Sequence, residues 1–143
     1  MTEGPAVVDT NVAVSGVLTK VSESPTVRTL DGMLAGRFRF LLSVELIAEY
    51  REVLLRPKIR RRHGLSEAEV DILLTEIVAS GAVLDLESPT NKERKRGDDH
   101  LWRILAAAPS AVLVTGDQKL VKNPAKGIRI LTARAFAGRL EAI

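Results

Sequence analysis

The sequence predicts an α/β protein built as a three-layer α/β/α sandwich. Five short apolar runs, rich in β-branched and aliphatic residues, alternate along the chain with segments of helical periodicity. The runs are continuously hydrophobic, which is typical of strands buried on both faces of a parallel sheet. Strand–helix alternation within one small domain favours helices packed against both faces of that sheet.

The predicted elements follow one another in a regular order. Strands are expected at residues 6–9, 38–43, 82–86, 111–115 and 128–131. Helices are expected at residues 25–35, 44–55, 66–80, 99–108 and 132–140. Pro57 should stop the second helix, and Ser66 with Glu69 forms a capping box at the start of the third. Pro109 follows the fourth helix, and Thr132 is the expected N-cap of the last.

Size and composition agree with one domain over residues 1–143. The chain is 45% hydrophobic, which is enough for a well-formed core. It has no Cys, which excludes disulfides, thiolate zinc sites and Cys nucleophiles. No apolar run approaches transmembrane length, and the N-terminus lacks the pattern of a signal peptide. We therefore expect a soluble cytoplasmic protein with no membrane partner.

Acidic residues stand at the ends of two strand-like runs. Asp9 directly follows the first run, and Asp117 follows the fourth by way of Thr115 and Gly116. Ligand sites of open α/β sheets lie at the carboxyl ends of the strands. Several carboxylates gathered there repel one another unless a divalent cation binds between them. This arrangement indicates a metal-dependent enzyme acting on a phosphate-containing substrate.

A third candidate acid lies on the helix predicted at residues 44–55. At about 100° per residue, Glu49 falls at the border of the apolar stripe, whereas Glu45 and Glu52 point toward solvent. A carboxylate at that border can reach the rim of the sheet while its helix packs on the sheet. Glu49 is therefore the functional candidate of the three.

The fourth candidate is one of two adjacent acids, Asp98 and Asp99. Asp98 shares a helix face with the apolar Leu101, Trp102 and Leu105, whereas Asp99 points away from them. Either acid could instead serve as the N-cap of the following helix. Asp98 is preferred as the inward acid, and the choice between the two stays open.

Positive charge is concentrated in two runs, although the net charge is only +3. The cations at their centres are Arg60, Arg61 and Arg62 in the first run and Arg94, Lys95 and Arg96 in the second. Such runs belong either to solvated faces or to surfaces that contact phosphates, and the sequence leaves both readings open.

The remaining polar and aromatic candidates are weaker. The two His residues lack partners at ligand spacing, so His63 is expected to be solvated and His100 to be a bystander. Tyr50 and Trp102 lie on apolar stripes and are expected in the core. Ser43 lacks a glycine elbow and an evident His–Asp pair, which argues against a serine hydrolase.

Taken together, these motifs resemble the PIN-domain nucleases. The matching segments are VDTNV at 8–12, SVELIAEY at 43–50, DDHL at 98–101 and LVTGD at 113–117. The segment EYREVLLRPK at 49–58 is similar to the branch that contains toxins of toxin–antitoxin pairs, of the VapC type. The resemblance spans nearly the whole chain in the right order.

The resemblance implies a twisted, five-stranded parallel sheet flanked by helices, and hydrolysis of RNA phosphodiesters with Mg²⁺ or Mn²⁺. By position, the acidic quartet would be Asp9, Glu49, Asp98 (or Asp99) and Asp117, with Asn11 and Thr115 as supporting polar residues. The resemblance further implies an RNA substrate, a homodimer and an antitoxin that covers the site. One departure is Lys119, where many relatives carry a further Asp.

The chemistry implied by this resemblance is metal-assisted phosphodiester hydrolysis, in which divalent cations would supply a water of lowered pKa and would neutralise charge on the phosphoryl oxygens. Asp9, Asp117 and Asp98 or Asp99 would hold the metal. Two rivals remain: a binding module of the same fold that does not cut, and a small-molecule phosphohydrolase. Asn11 two residues after Asp9 argues against the phospho-aspartate class, which needs a second Asp there.

Overall fold

The computed structural model describes residues 4–86, 100–122 and 127–141. Within these ranges the chain is an α/β fold with parallel strands, as the sequence predicts. The strands are β1 (Ala6–Val8), β2 (Leu41–Leu42), β3 (Ala82–Val83), β4 (Val112–Val114) and β5 (Arg129–Leu131). Each lies inside a predicted run but is shorter than that run.

The strands form two hydrogen-bonded sheets. β4 lies between β1 and β5, with Val7 opposite Leu113 and Leu113 opposite Ile130. β2 pairs with β3 in a second parallel sheet. One isolated parallel bridge, between Ala6 and Phe40, links the two sheets. A single five-stranded sheet is therefore not confirmed, because β1 and β2 meet only at this bridge.

Five helices lie where the sequence predicts them. We label them α2 (Pro25–Leu34), α3 (Val44–Leu54), α5 (Glu67–Ser80), α6 (His100–Ala107) and α8 (Ala133–Glu141). The Ser66–Glu69 capping box at the start of α5 is present. Thr132 caps α8, since its Oγ1 accepts a hydrogen bond from Ala135 N at 3.1 Å. Local capping chemistry thus sets where these two helices begin.

Three further helices were not predicted: α1 (Thr10–Leu18), α4 (Pro57–His63) and α7 (Gln118–Lys122). Helix α1 is buried on most sides, so it lacks the amphipathic period that reveals a surface helix. Pro57 is the first residue of α4, a position whose backbone N–H makes no hydrogen bond within the helix, so the lack of an N–H in proline costs nothing there. Helix α7 has only five residues, too few for a periodic pattern.

The core packs against the two sheets and is dominated by aliphatic side chains. Tyr50 and Phe40 are its largest fully buried members, so the prediction that Tyr50 is core is confirmed. Trp102 is half-buried against this core. Helices α1 and α2 approach closely at Gly16, where an added Cβ would lie 2.8 Å from Thr26 O and from Leu30 Cβ. No helix in the described ranges is long and apolar enough to cross a membrane.

Candidate active site

Asp9 is held at the junction of β1, β4 and α1. It directly follows β1, and its N–H donates to Val114 O at 2.9 Å, which extends the pairing of β1 with β4. Its Oδ1 accepts from Thr10 N at 2.8 Å and thereby caps α1. Its Oδ2 accepts from Thr115 Oγ1 at 2.7 Å. The carboxylate is therefore fixed by hydrogen bonds to both of its oxygens.

Thr115 and Asn11 tie the two strand ends together. Thr115 follows β4 and is fully buried, and its Oγ1 accepts from Asp117 N at 3.1 Å while it donates to Asp9. Asn11, in the first turn of α1, accepts through Oδ1 from Gly116 N at 3.3 Å. The loop that carries Asp117 is thus hydrogen-bonded to the segment that carries Asp9.

Asp117 lies in this loop and is exposed to solvent. Its Oδ1 accepts from Lys119 N at 2.9 Å and from Leu120 N at 3.4 Å, so it caps α7. Asp is a favoured residue at such a position because it satisfies free N–H groups of the first turn. The other oxygen, Oδ2, accepts no hydrogen bond from the described residues.

Glu49 approaches the same corner from α3. Its side chain is half-exposed, and its Oε2 is in hydrogen-bond contact with His100 Nε2 of α6. The neighbouring Tyr50 donates its hydroxyl to Val8 O at 2.5 Å, immediately before Asp9. Burial raises the pKa of Tyr50 most, and the negative charges of Asp9 and Glu49 raise it further. One buried phenol therefore lies within electrostatic reach of both carboxylates.

Comparison with known families identifies the kind of domain that contains Asp9, Asp117 and Glu49. A family model described as PIN domain matches residues 5–119. The chain belongs to the PIN-domain family. PIN domains are generally nucleases and typically use divalent metals, so the acids at the strand ends lie in a nuclease-type fold.

A solved structure agrees with this PIN fold. The crystal structure of PAE2754 from Pyrobaculum aerophilum superposes with a TM-score of 0.61, over 98% of this chain and 91% of that one. Sequence identity is 21%, so this likeness shows the fold alone. No curated protein matches the chain.

Part of the predicted site of this PIN domain falls outside the described residues. This is the case for Asp98 and Asp99, and for the second basic run, Arg94, Lys95 and Arg96. In the described ranges, no three acidic or histidine side chains are grouped closely enough to hold a metal ion. The hydrogen bonds link Asp9 with the Asp117 loop, and the electrostatics of Tyr50 link Asp9 with Glu49, but these three acids alone make no metal cage.

The first basic run forms the exposed helix α4 of the PIN domain. Arg60 Nε lies 3.5 Å from Leu65 O, and Arg61 Nε donates to Pro57 O at 3.3 Å, while Arg62 is exposed. Helix α4 contacts α1 and α3, the helices that carry Asn11 and Glu49. Its cations are thus on a solvated helix next to the elements of the site.

The expectation of a solvated His63 was wrong. His63 is half-buried: its Nε2 bonds to Leu54 O at 2.8 Å, and its Nδ1 accepts from Leu65 N at 2.9 Å. It therefore joins the ends of α3 and α4 to the start of α5.

His100 was expected to have no partner at ligand spacing, and the structure places it in contact with Glu49. The sequence contained one signal for this contact. Glu45 and Glu49 lie four residues apart on α3, and His100 and Arg103 lie three apart on α6, so both pairs can meet if the helices face each other.

Proposed function

We propose that this PIN domain is a divalent-metal-dependent endoribonuclease that hydrolyses RNA phosphodiester bonds. One observation carries the proposal. The buried hydroxyl of Thr115 joins the Asp9 carboxylate to the loop of Asp117, at the carboxyl ends of β1 and β4. Open α/β sheets place their ligands at this rim. In a family of nucleases, that rim is the natural place for the reaction.

The donors at the rim fit Mg²⁺ or Mn²⁺ in kind. They are carboxylate and amide oxygens, which these hard cations prefer, and the chain has no thiolate to favour a softer metal. The Asp9 carboxylate is held in one orientation by Thr10 N at Oδ1 and by Thr115 Oγ1 at Oδ2. Asp9, Asp117 and Asp98 or Asp99 would hold the ion. When bound, it would supply a water of lowered pKa and neutralise phosphoryl charge.

The surrounding residues would position these groups. Thr115 holds Asp9 in one orientation, and Asn11 holds the backbone at Gly116. Glu49 approaches from α3 and would contact the ion or its water. The RNA backbone would be bound by cations, since phosphate contacts supply most of the affinity for nucleic acids. We assign this role to Arg60, Arg61, Arg62, Arg94, Lys95 and Arg96.

The test is cleavage of labelled single-stranded and structured RNA by the purified protein. We expect cutting with Mg²⁺ or Mn²⁺ and none with EDTA. Asp9→Asn should abolish the cutting because it removes the carboxylate while retaining a side chain of the same shape. Asp31→Asn, an exposed acid on α2, is the matched control and should cut like the wild type. Metal-independent cutting, or full activity in Asp9→Asn, would contradict the proposal.

We also propose that the nuclease is the toxin of a toxin–antitoxin pair, a cytoplasmic homodimer that a second protein inhibits. The support is the similarity of residues 49–58 to that branch of the family. Induced expression in a host without the antitoxin should arrest growth, and Asp9→Asn should not. Unimpaired growth with active, soluble wild-type nuclease would sink the toxin assignment and leave the nuclease assignment standing.

A second candidate is a PIN domain that binds RNA or a protein partner without cutting it. One observation favours it: Oδ1 of Asp117 is occupied in capping α7. Here RNA binding would survive Asp9→Asn, and no cleavage would occur with any divalent metal. The cleavage assay, run with a binding measurement on the same RNA, separates the two candidates.

A further inference from the structure

Helices α3 and α6 are joined by two acid–base contacts on facing sides. Glu49 of α3 meets His100 of α6, and Glu45 of α3 meets Arg103 of α6. The acids are four residues apart and the bases three apart, which are the spacings that place side chains on one helix face. The earlier acid pairs with the later base, so the two helices run in opposite directions across these contacts.

The two contacts are alike in exposure and differ in position. The side chains of His100 and Arg103 are each 16% exposed, and those of Glu49 and Glu45 are 39% and 43% exposed. The Glu49 contact lies near Tyr50, whose pKa is raised by the charges of Asp9 and Glu49, whereas Glu45 does not contribute to that shift. Glu45 lies one helical turn before Glu49 on α3. Each contact is therefore a natural control for the other.

A half-exposed glutamate needs a partner if it is to present its carboxylate in one direction. Its side chain otherwise samples several rotamers, and ordering a long side chain costs about 1–2 kcal/mol of conformational entropy. His100 supplies a partner by donating from Nε2 to Oε2 of Glu49. Oε1 accepts no hydrogen bond from the described residues, so it is the oxygen left for the active-site corner.

We propose that His100 is a positioning residue that orients the Glu49 carboxylate toward the site of Asp9. This inference rests on the proposed nuclease function, because it assigns His100 a role within that same site. His100 acts through Glu49 and does not itself touch the substrate. Partners of this kind typically change metal affinity or activity about 10- to 100-fold when they are removed.

The experiment compares three substitutions in the full chain: His100→Ala, His100→Gln and Arg103→Ala. RNA cleavage gives kcat and KM, calorimetry gives the affinity for Mn²⁺ alone, and thermal melting gives stability. His100→Ala should lower kcat and Mn²⁺ affinity about 10- to 100-fold, with KM for RNA within about threefold of wild type. His100→Gln, which retains an N–H donor, should recover most of both. Arg103→Ala should change stability but leave kcat within about twofold.

A double-mutant cycle isolates the route through Glu49. If His100 acts by orienting that carboxylate, His100→Ala should add little to the loss already caused by Glu49→Ala. Full additivity would overturn the inference, and so would an equal loss of kcat in His100→Ala and Arg103→Ala. Wild-type activity in His100→Ala overturns the inference alone. A wild-type protein that neither binds Mn²⁺ nor cuts RNA overturns this inference together with the proposed function.

Discussion

At the scale of single residues, the Thr115 hydroxyl is the point where two parts of the site meet. It is fully buried, donates to Asp9 Oδ2 and accepts from Asp117 N. A valine has nearly the same shape but can do neither. Loss of the hydroxyl would therefore remove one hydrogen bond from Asp9 Oδ2 and one from Asp117 N.

Thr115→Val should lower RNA cleavage about 10- to 100-fold, because Asp9 loses the group that orients it. Stability should fall by about 1–3 kcal/mol, since two part-buried hydrogen bonds are lost. Thr29→Val is the matched control, because Thr29 is equally buried and donates to Pro25 O at 2.8 Å within α2. It should lose stability and retain activity. Equal loss of activity in both variants would mean that Thr115 only stabilises the fold.

Tyr50 makes stability depend on alkaline pH. Its pKa is raised in the folded protein by burial first, and then by the charges of Asp9 and Glu49. The unfolded chain has the ordinary tyrosine pKa of about 10. The folded state thus keeps a proton that the unfolded state releases above that pH. The stabilisation is fully present below about pH 10 and is lost as pH rises from there toward the folded pKa.

We expect the free energy of unfolding to fall above pH 10 by up to about 1.4 kcal/mol per pH unit from this one group. Tyr50→Phe should remove that part of the slope and leave the part due to other groups. Tyr50 is the single tyrosine of the chain, so tyrosinate absorbance reports on it alone. Absorbance should rise only as the protein unfolds. Tyrosinate formed in the folded protein near pH 10 would refute this account.

Which site residues could be predicted from sequence depends on the range of their contacts. Asp9 and Asp117 were placed at strand ends because a short apolar run followed by an acid is visible locally. The contact of His100 with Glu49 spans 51 residues of chain, and that of Thr115 with Asp9 spans 106. A pattern within one segment does not reveal such pairs. The spacing of Glu45 and Glu49 against His100 and Arg103 is informative only once α3 and α6 are known to face each other. His63 was misjudged for a similar reason, because its partners lie in the ends of neighbouring helices.

At the scale of elements, α1 positions Asp9 and Asn11, and it is one of the three helices that the sequence did not predict. It begins at Thr10, directly after Asp9, so the first turn carries the capping carboxylate and Asn11. Its burial on most sides removes the polar face that marks an amphipathic helix. The helices with clear stripes and caps, α3 and α5, begin and end within one residue of the predicted positions.

The close contact of α1 with α2 can be tested at Gly16. An added methyl group would lie 2.8 Å from Thr26 O and Leu30 Cβ, so the helices must move apart. Gly16→Ala should cost about 1–3 kcal/mol of stability, as overpacking does. Gly138→Ala is the control, because in the described part of the chain no heavy atom outside the adjoining residues and backbone of α8 lies within 4 Å of the added carbon. It should stabilise by about 0.5–1 kcal/mol. Chemical denaturation measures both, and a neutral Gly16→Ala would contradict the close contact.

At the scale of the whole molecule, the sequence predicted the fold class correctly and the extent of pairing less well. Continuous hydrophobicity indicated parallel strands and their order along the chain. It could not show that β1 and β2 meet at a single bridge, because hydrogen-bond register depends on how the strands twist together. The net charge of +3 likewise does not show where positive charge is concentrated, because the basic residues of α4 lie together on one short helix.

If α4 contacts RNA, its cations should control the salt dependence of binding. Arg60→Ala with Arg61→Ala should weaken RNA affinity across sequences, and the slope of log affinity against log salt should decrease by about one per lost phosphate contact. Arg134→Ala, an exposed cation on α8, should leave the slope unchanged. Filter binding at several salt concentrations measures this. If the slope of log affinity against log salt were the same in the double variant and the wild type, the RNA would not contact Arg60 or Arg61.

We expect the catalytic cation to bind at the rim formed by Asp9, Thr115 and Asp117. Anomalous diffraction from crystals of the full chain soaked in Mn²⁺ tests it most directly, because manganese identifies itself by its own scattering. We expect a Mn²⁺ peak within coordination distance of an Asp9 oxygen, and we expect it to be absent in Asp9→Asn. A Mn²⁺ peak remote from Asp9, or none at a concentration that supports RNA cleavage, would contradict it.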